Sequence, residues 1–488
     1  MSLSNLIFNS KSLLIFLMML GLCNFASAEQ EGFELLSRNP DDGSLLYSSR
    51  FPVVTPDGRY VTFTASETKF GATGKTWLFD RVLNQLELIS DLSPNLNQAA
   101  LISADGCKVV FTTYEFSSSK GGLYLRDRCL STPRTILIGD TDGTSAYIDI
   151  SADGKRIVYS PSSSNDYPNN DREYGVHVLD LESNTSQCIS VQQVGGAFPV
   201  GACRRATAPS ISADGSRVVF FSADNLFGTN ISNYGGIYLY DKNNAPHLSL
   251  IQSYSDGATM PSISPDGRYV AFQSYKSLAG EGNEPRHDVF IKDTVTGDLV
   301  IASVSSSGEV GNGESPRSQI ERPSFSADGT WVLFSTGARN LTPRGGSVVA
   351  RNIYTGETID FSSSSFSPYP AISGDPLGRF VVFSNAAALD NRFNSANSTS
   401  GNIYLHDRAT HCILNWAELN YPDYFAPGGQ STQFVDFFTY RYYPMTNTYL
   451  GTFSQDDHLY YLGPGTGGEA ADVGSVADLI EETGCLKN

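Results

Sequence analysis

Positive charge and long hydrophobic runs are both scarce in this chain. Its 488 residues hold 33 Lys+Arg against 51 Asp+Glu, a net charge of −18. A nucleic-acid surface needs cations clustered on one face, so no nucleic-acid partner is expected. After residue 28 no stretch of 18 consecutive apolar residues occurs, and a membrane-spanning helix needs about 20. Charged residues make up 17 %, which leaves no room for a coiled coil built about half from Ala, Glu, Lys, Leu and Arg. Local catalytic signatures are missing too. There is no Gly-x-Ser-x-Gly elbow, no His-Glu-x-x-His and no Walker A sequence. No Cys-x-x-Cys occurs, which argues against a zinc knuckle or a thioredoxin-like site. Aromatics, by contrast, reach 11 %, and a disordered chain is poor in them. What remains is an acidic, β-rich globular chain, long enough for about three domains at ~100–200 residues each.

The first 28 residues read as an address. Lys11 precedes an apolar run from Leu13 to Leu22, followed by Ala26-Ser27-Ala28. That order of basic, apolar and small residues is a secretory signal peptide, with cleavage expected after Ala28. Cys23 after Leu20-Gly21-Leu22 offers a lipoprotein alternative, to which the bulky Leu22 is a poor fit. Cleavage removes Lys11 and no acid, so the mature charge becomes −19. It also leaves six Cys, an even number that reads as disulfides in a periplasmic or secreted chain. Six Cys allow 15 pairings. Proximity within repeats favours Cys107–Cys129, Cys188–Cys203 and Cys412–Cys485.

One unit recurs seven times: a small-residue strand, Asp-Gly, then an apolar strand. It reads VVTPDGRYVTF at 53–63, LISADGCKVVF at 101–111, IDISADGKRIVY at 148–159 and SISADGSRVVF at 210–220. It continues as SISPDGRYVAF at 262–272, SFSADGTWVLF at 324–334 and the variant AISGDPLGRFVVF at 371–383. The turn acids are Asp57, Asp105, Asp153, Asp214, Asp266, Asp328 and Asp375, spaced 47 to 62 residues apart. Each copy reads as a hairpin, because Gly takes positive φ freely and Asp tolerates it. A further strand follows, such as KTWLFDR at 75–81 or GGIYLYD at 235–241, and in six copies another, such as LELIS at 86–90. Copy six ends that second strand in Asn352 where the others have Asp. After copy seven no matching last strand is evident; FELLSR at 33–38 supplies one from the other end of the repeat array. The expected fold is all-β: a seven-bladed β-propeller closed by an N-terminal strand.

The copies resemble the WD40-like repeats of the TolB family, called PD40 repeats. The carrying residues are Ser-x-Ser-Ala/Pro-Asp-Gly-x-x-Val-x-Phe, as in Ser210 to Phe220 and Ser262 to Phe272, and Gly-x-Tyr-Leu-x-Asp, as in Gly236 to Asp241. The resemblance covers about 33–408 and implies the propeller fold; a fold by itself hosts many functions. Two departures separate the chain from TolB itself, which resembles a six-bladed ring behind a separate α/β domain. Here the copies number seven, and no room for such a domain lies between residue 28 and the first hairpin.

The expected organisation is a signal peptide at 1–28, the propeller at 29–410 and a small α+β module at 411–488. That module is dense in aromatics: Asn415-Trp416-Ala417-Glu418, Tyr421-Pro422, Tyr424-Phe425, Tyr440-Arg441-Tyr442-Tyr443 and Tyr449-Leu450-Gly451. It resembles a C-terminal module of various bacterial exported proteins. We read a short helix near 413–420, two or three strands across 434–463 and a last helix near 474–483. Core packing in so small a domain accounts for the aromatics, with Cys412–Cys485 as its staple. The Gly463 to Gly468 run satisfies Gly-x-Gly-x-x-Gly but lacks the following βαβ unit, so it reads as a loop.

Structure explains the seven turn Asp residues without any catalytic role. The six His are scattered; His177 and His406 sit in repeat strands, and His287 begins one. The acidic segments Asn165–Glu173 and Asp140–Asp142 could hold Ca²⁺, but neither follows the EF-hand order, so both read as solvated loops. The expected function is a non-catalytic scaffold, exported and binding an envelope or extracellular protein or polymer. The longest inter-repeat intervals carry its candidate recognition loop: Asn165, Asp166, Asp171 and Glu173. The alternative is a metal-dependent lyase or hydrolase acting on acidic polysaccharide in the propeller mouth. No cofactor is expected beyond that.

Overall fold

The computed structural model describes residues 33–409 apart from 42–43, 69–73, 91–95, 116–119, 142–146, 161–174, 194–199, 228–234, 280–285, 317–321, 343–347, 362–370, 373–377 and 386–401; further on it describes 439–443, 448–452, 458–462 and 471–483. The chain divides into two compact units, Leu35–Leu405 and the remainder.

Seven four-stranded antiparallel sheets occupy Phe33–Asp407, and each matches one sequence repeat. Blade 1 is β2 (Tyr47–Val54), β3 (Tyr60–Ser66), β4 (Lys75–Asp80) and β5 (Gln85–Leu88). Blade 2 is β6 (Leu96–Ile102), β7 (Lys108–Glu115), β8 (Lys120–Asp127) and β9 (Arg134–Thr141). Blade 3 is β10 (Tyr147–Ile150), β11 (Arg156–Ser160), β12 (His177–Asp180) and β13 (Thr185–Cys188). Blade 4 is β14 (Thr207–Ile211), β15 (Arg217–Ser222), β16 (Gly236–Asp241) and β17 (Leu248–Ser253). Blade 5 is β18 (Thr259–Ile263), β19 (Tyr269–Ser274), β20 (Asp288–Asp293) and β21 (Leu299–Ile301). Blade 6 is β22 (Ser324–Phe325), β23 (Trp331–Ser335), β24 (Val348–Asn352) and β25 (Thr358–Phe361). Blade 7 is β26 (Ala371–Ile372), β27 (Phe380–Asn385), β28 (Asn402–Asp407) and, from the far end of the chain, β1 (Phe33–Leu35).

The first strand of each blade touches the first strand of the next, from β2 through β6, β10, β14, β18, β22 and β26 back to β2. The first strands therefore form the inner wall of a closed ring. Closure is a pair of hydrogen bonds across almost the whole array: the Leu36 N–H donates to the Ile403 carbonyl at 2.9 Å, and the Ile403 N–H to Ser37 Oγ at 3.0 Å. Among the described residues each blade still ends in an outer strand without a further partner, and apart from the eight-residue β9 these edges are short.

The aromatic that ends each repeat motif fills its blade. Phe63, Phe111, Phe220, Phe272, Phe334 and Phe383 are all fully buried. Several meet an aromatic opposite them on the next strand: Phe111–Tyr124 at 5.5 Å between ring centres, Phe220–Tyr238 at 5.8 Å and Phe272–Phe290 at 6.0 Å. Blade 3 carries Tyr159 at this position and His177 opposite it, stacked at 5.4 Å and only half-buried.

The Asp-Gly turns differ from the expected geometry. Only the Gly takes the left-handed region, with φ from +65° to +75° at Gly58, Gly106, Gly154, Gly215, Gly267 and Gly329; the described Asp residues do not. The Asp acts through its side chain. In copy four, Ser212 Oγ donates to Asp214 Oδ1 at 2.6 Å, the Ser216 N–H donates to the same oxygen at 2.9 Å, and Ser212 Oγ accepts from the Arg217 N–H at 3.0 Å. The same three bonds recur around Asp57, Asp105, Asp153, Asp266 and Asp328. An Asx-type turn of this kind satisfies backbone donors that a hairpin otherwise leaves to water. Asp375 lies outside the described residues.

Neighbouring turns are also tied together. The Ala104 N–H donates to the Ala152 carbonyl, Ala152 to Ala213, and Ala213 to Pro265, at 2.9–3.0 Å. Pro265 has no N–H to pass on. At several turns the Gly is needed twice over, because a side chain that follows the preceding blade's turn packs against it: Tyr60 on Gly106, Lys108 on Gly154, Arg156 on Gly215, Arg217 on Gly267 and Phe380 on Gly58. A Cβ on Gly106 would collide with the Tyr60 ring, and one on Gly58 with Phe380. In the middle copies that side chain is basic, and it hydrogen-bonds the next turn: Lys108 to the Gly154 carbonyl at 3.1 Å and Arg217 to the Gly267 carbonyl at 3.1 Å.

The Asp ending the third strand of a blade pairs with an arginine after the turn: Asp80 with Arg59, Asp241 with Arg217 and Asp293 with Arg268, at 2.7–2.9 Å. It also accepts N–H groups from the residues that follow it. Copy six explains its own departure. Thr330 and Trp331 stand where other copies place a cation, so no charge is required, and Asn352 Oδ1 still accepts from the Tyr354 and Thr355 N–H groups.

Disulfides join Cys107 to Cys129 and Cys188 to Cys203. Cys412 and Cys485 lie outside the described residues.

In the second unit, β29 (Thr439–Tyr443), β30 (Thr448–Thr452), β31 (His458–Leu462) and β32 (Ala471–Ser475) form an antiparallel meander. Helix α1 (Val476–Thr483) follows, with Ser475 Oγ accepting the Asp478 N–H at 3.1 Å as its N-cap. The sequence reading of two or three strands across 434–463 matches β29, β30 and β31, and its helix near 474–483 matches α1 to within two residues; β32 it does not foresee. Gly474, at φ +143°, follows a bulge of β32 at Val473, opposite Leu459 and Tyr460, just before the helix starts. The helix expected near 413–420 and the Gly463–Gly468 run lie outside the described residues.

Candidate functional site

The inner wall of the ring carries backbone geometry that the repeat motif does not announce. Phe51, Ala208 and Met260 take positive φ, at +53°, +51° and +51°, each one residue before a proline. All three sit where the first strand loses register with the second, between Arg50 and Val53, Thr207 and Ser210, and Thr259 and Ser262. A proline on the innermost strand costs no ladder bond if its missing N–H faces away from the neighbouring strand. A left-handed non-Gly residue is costly, by ~1–3 kcal/mol, and such residues concentrate where a structure uses them. The bulges re-aim backbone carbonyls and side chains of three blades.

One cation uses that re-aiming. Arg322, just before β22 in blade 6, sends Nη1 to the Pro209 carbonyl of blade 4 at 2.6 Å. The bond links blades that are not ring neighbours. Burial raises the Tyr147 hydroxyl above its ordinary range, and the nearby Arg322 guanidinium pulls it back down. Asp149, also in blade 3, accepts from Ser210 Oγ at 2.9 Å and the Ile211 N–H at 3.1 Å. Ser210 Oγ in turn accepts the Ile263 N–H of blade 5 at 3.4 Å. Tyr147, Asp149, Pro209, Ser210 and Arg322 thus form one polar arc across blades 3 to 6. A guanidinium there suits a planar oxyanion such as a carboxylate.

The residues singled out from the sequence fall elsewhere. The six described turn Asp residues cap the hairpins at one end of the ring, each engaged with its own turn. Asn165, Asp166, Asp171 and Glu173 lie outside the described residues. Asp140 is on β9 rather than in a loop. His406 is buried in β28. His287 lies at the opposite end of blade 5 from its Asp-Gly turn, edge-on to Tyr275 at 6.1 Å, with its backbone N–H donating to Glu314 Oε2 at 2.8 Å. Among the described residues, one group of at least three His, Cys, Asp or Glu donors gathers closely, and it is His177 with Cys188 and Cys203 on the outer edge of blade 3. Sequence reasoning missed the inner arc. Its signal was present as the proline five residues before the turn Asp in copies one, four, five, six and seven.

No protein-family model matches the chain, and no curated protein matches it. Solved structures do resemble it. A putative TolB from Agrobacterium tumefaciens is 19 % identical over 52 % of this chain and 80 % of that one, with a TM-score of 0.35. An oligogalacturonate lyase from Vibrio parahaemolyticus is 15 % identical over 78 % and 98 %, with a TM-score of 0.48. TolB from Acinetobacter baumannii is 17 % identical over 64 % of each chain, with a TM-score of 0.37. The neighbours thus include TolB proteins and other β-propellers. Blade number and closure here come from this chain's own strand pairing.

Proposed function

We propose that the chain is an exported, non-catalytic β-propeller scaffold, spanning 29–410, that binds a protein or surface polymer in the bacterial envelope or outside it. The observation that carries this reading is the closed ring with an irregular inner wall. Seven blades closed by β1, with the turns of blades 2 to 5 tied to one another, hold loops from several blades in fixed relation. Rigid presentation lowers the ordering cost of binding. The two disulfides support an oxidising compartment, hence the periplasm or the exterior. Among the described residues no helix is long and apolar enough to cross a membrane.

The test is crosslinking capture with residues 29–488 on envelope and secreted fractions of the source cell. The scaffold reading expects one dominant partner, retained by the propeller and lost without it. Replacing Asn165–Glu173 with a short Gly/Ser turn should weaken capture and leave the fold intact; unchanged affinity removes that loop from the binding face.

Arg322 favours a second reading, a lyase or hydrolase on acidic polysaccharide, because its guanidinium suits a uronate carboxylate. That reading expects metal-stimulated turnover on a panel of uronic-acid polymers and its loss in Arg322→Ala. No turnover with any added divalent metal would remove it.

A further inference from the structure

Blade 3 departs from its siblings at one register position, and the departure assembles metal-binding atoms. In blade 5 the row across the sheet is Phe272, Phe290 and Ile301, all apolar. In blade 3 the same row is Tyr159, His177 and Cys188. Side chains directly opposite on neighbouring strands share a face, so β12 and β13 bring His177 and Cys188 together. Cys203 arrives from beyond the blade, fixed by the antiparallel bridge between Val191 and Cys203. His177 Nε2 then lies 4.0 Å from Cys203 Sγ, and the donor atoms of His177, Cys188 and Cys203 all lie within 4.8 Å of one another.

The surroundings fit such a cluster. Gly175 leaves room for it: a Cβ there would collide with Cys203 Sγ and stand 2.7 Å from Cys188 Sγ. Tyr159 stacks on the imidazole and fixes its plane. Ser190 Oγ stands 3.6 Å from Cys188 Sγ. All three donors are half-buried, within reach of solvent reagents. Thiolate and imidazole bind zinc at about 2.3 and 2.0 Å, which separates ligand atoms by about 3.5 Å. The His177 to Cys203 distance is already near that value.

We propose that the Cys188–Cys203 disulfide is the closed form of a redox-gated zinc site. A dithiol reductant opens it. The disulfide bond breaks, two electrons and two protons pass to the pair as two thiols, and the reductant leaves as its own disulfide. A zinc ion then displaces the two thiol protons, and His177 Nε2 adds its lone pair as a third ligand. Three protein ligands leave one position for water. The Cys107–Cys129 pair in blade 2 is the internal control, since no group of close donors forms around it among the described residues.

The test uses the full chain, reduced with a dithiol, freed of reductant without oxygen and titrated with Co²⁺ as a spectroscopic stand-in for zinc. Thiolate-to-cobalt charge-transfer bands should appear at one equivalent in the reduced protein and not in the oxidised protein. The doubly substituted Cys107→Ser, Cys129→Ser chain should retain them. His177→Gln should weaken affinity at least about 10-fold, the low end for loss even of a supporting partner at a metal site, with its far-ultraviolet spectrum unchanged. Absence of bands after reduction, their loss in the Cys107→Ser, Cys129→Ser chain, or equal affinity in His177→Gln would overturn the proposal. Should His177→Gln fail to fold, Cys203→Ser replaces it, and retention of full affinity there overturns the proposal equally.

Discussion

Blades 3 and 5 are built on one motif and put its central position to different uses. In blade 5, Phe272 and Phe290 are fully buried and stack on each other between the sheets. In blade 3, the equivalent Tyr159 and His177 stack in the same way but stay half-exposed, and Tyr159 meets Ser186 Oγ at 3.1 Å. Burying a Phe side chain is worth about 1.5–3 kcal/mol, and blade 3 gives up part of that. It regains order through a covalent link, because Cys188–Cys203 closes a loop with a sequence separation of 15 residues. A repeat fold can thus exchange apolar packing for chemistry in one blade, provided its neighbours hold the ring.

That contrast can be broken at its strongest point first. Phe272→Ala should cost about 3–5 kcal/mol of unfolding free energy. Tyr159→Ala, at the same register position, should cost about 1 kcal/mol, since half-exposed surface gains less from burial. Urea unfolding of both variants checks this, and equal losses would erase the distinction between the blades. Replacing Cys188 and Cys203 by Ser should cost about 3 kcal/mol in the chain-entropy picture, whereas blade 5 has no such link to lose.

A smaller effect separates glycines that face a neighbouring blade from glycines that face solvent. Gly106→Ala should cost about 2 kcal/mol or more, because its Cβ meets the Tyr60 ring in addition to its strained φ of +74°. Gly201 shares a positive φ, +82°, but nothing lies within 4 Å of its Cβ. Gly201→Ala should therefore cost only about 1 kcal/mol of backbone strain. Thermal unfolding of the two variants side by side measures the part due to inter-blade contact.

The smallest effect concerns charge. The Arg268 guanidinium holds the Asp293 carboxyl down at about 2, aided by the Val295 and Thr296 N–H groups. A depressed carboxyl pKa stabilises the fold above about 4 and loses that contribution as pH falls towards 2. Arg268 is exposed, so solvent screens the pair and its contribution is small. Arg268→Gln should flatten the stability-against-pH curve of the chain between pH 4 and 2. In blade 6 the equivalent residue, Asn352, carries no charge and so adds no such pair in this window.

The fold was legible because it was written seven times. A hairpin period, an Asp-Gly turn and a displaced strand at 33–38 are enough to count blades and close them. The departure at Asn352 was visible as well, but its reason was not, since it depends on Thr330 and Trp331 across the sheet. The position of the turn Asp was readable and its role was not, because its side chain holds the turn while the Gly alone takes the positive φ. Arg322 and Pro209 stand 113 residues apart, and spacing along a chain carries no trace of a bond that crosses a ring. The proline that recurs within the bulges of β2, β14 and β18 was readable, and its meaning needed the register of the first strand. His177 read as a packing residue, which it is, until the position of Cys203 is known.

The scaffold reading rests on the ring being closed, so amide hydrogen exchange at the closure is the most direct test. The Leu36 and Ile403 amides, which donate to the Ile403 carbonyl and to Ser37 Oγ, should exchange as slowly as those of β3 and β19, through global unfolding only. Fast exchange at Leu36 and Ile403 with the other strands protected would show a frayed terminal strand and an open array, and would contradict the account.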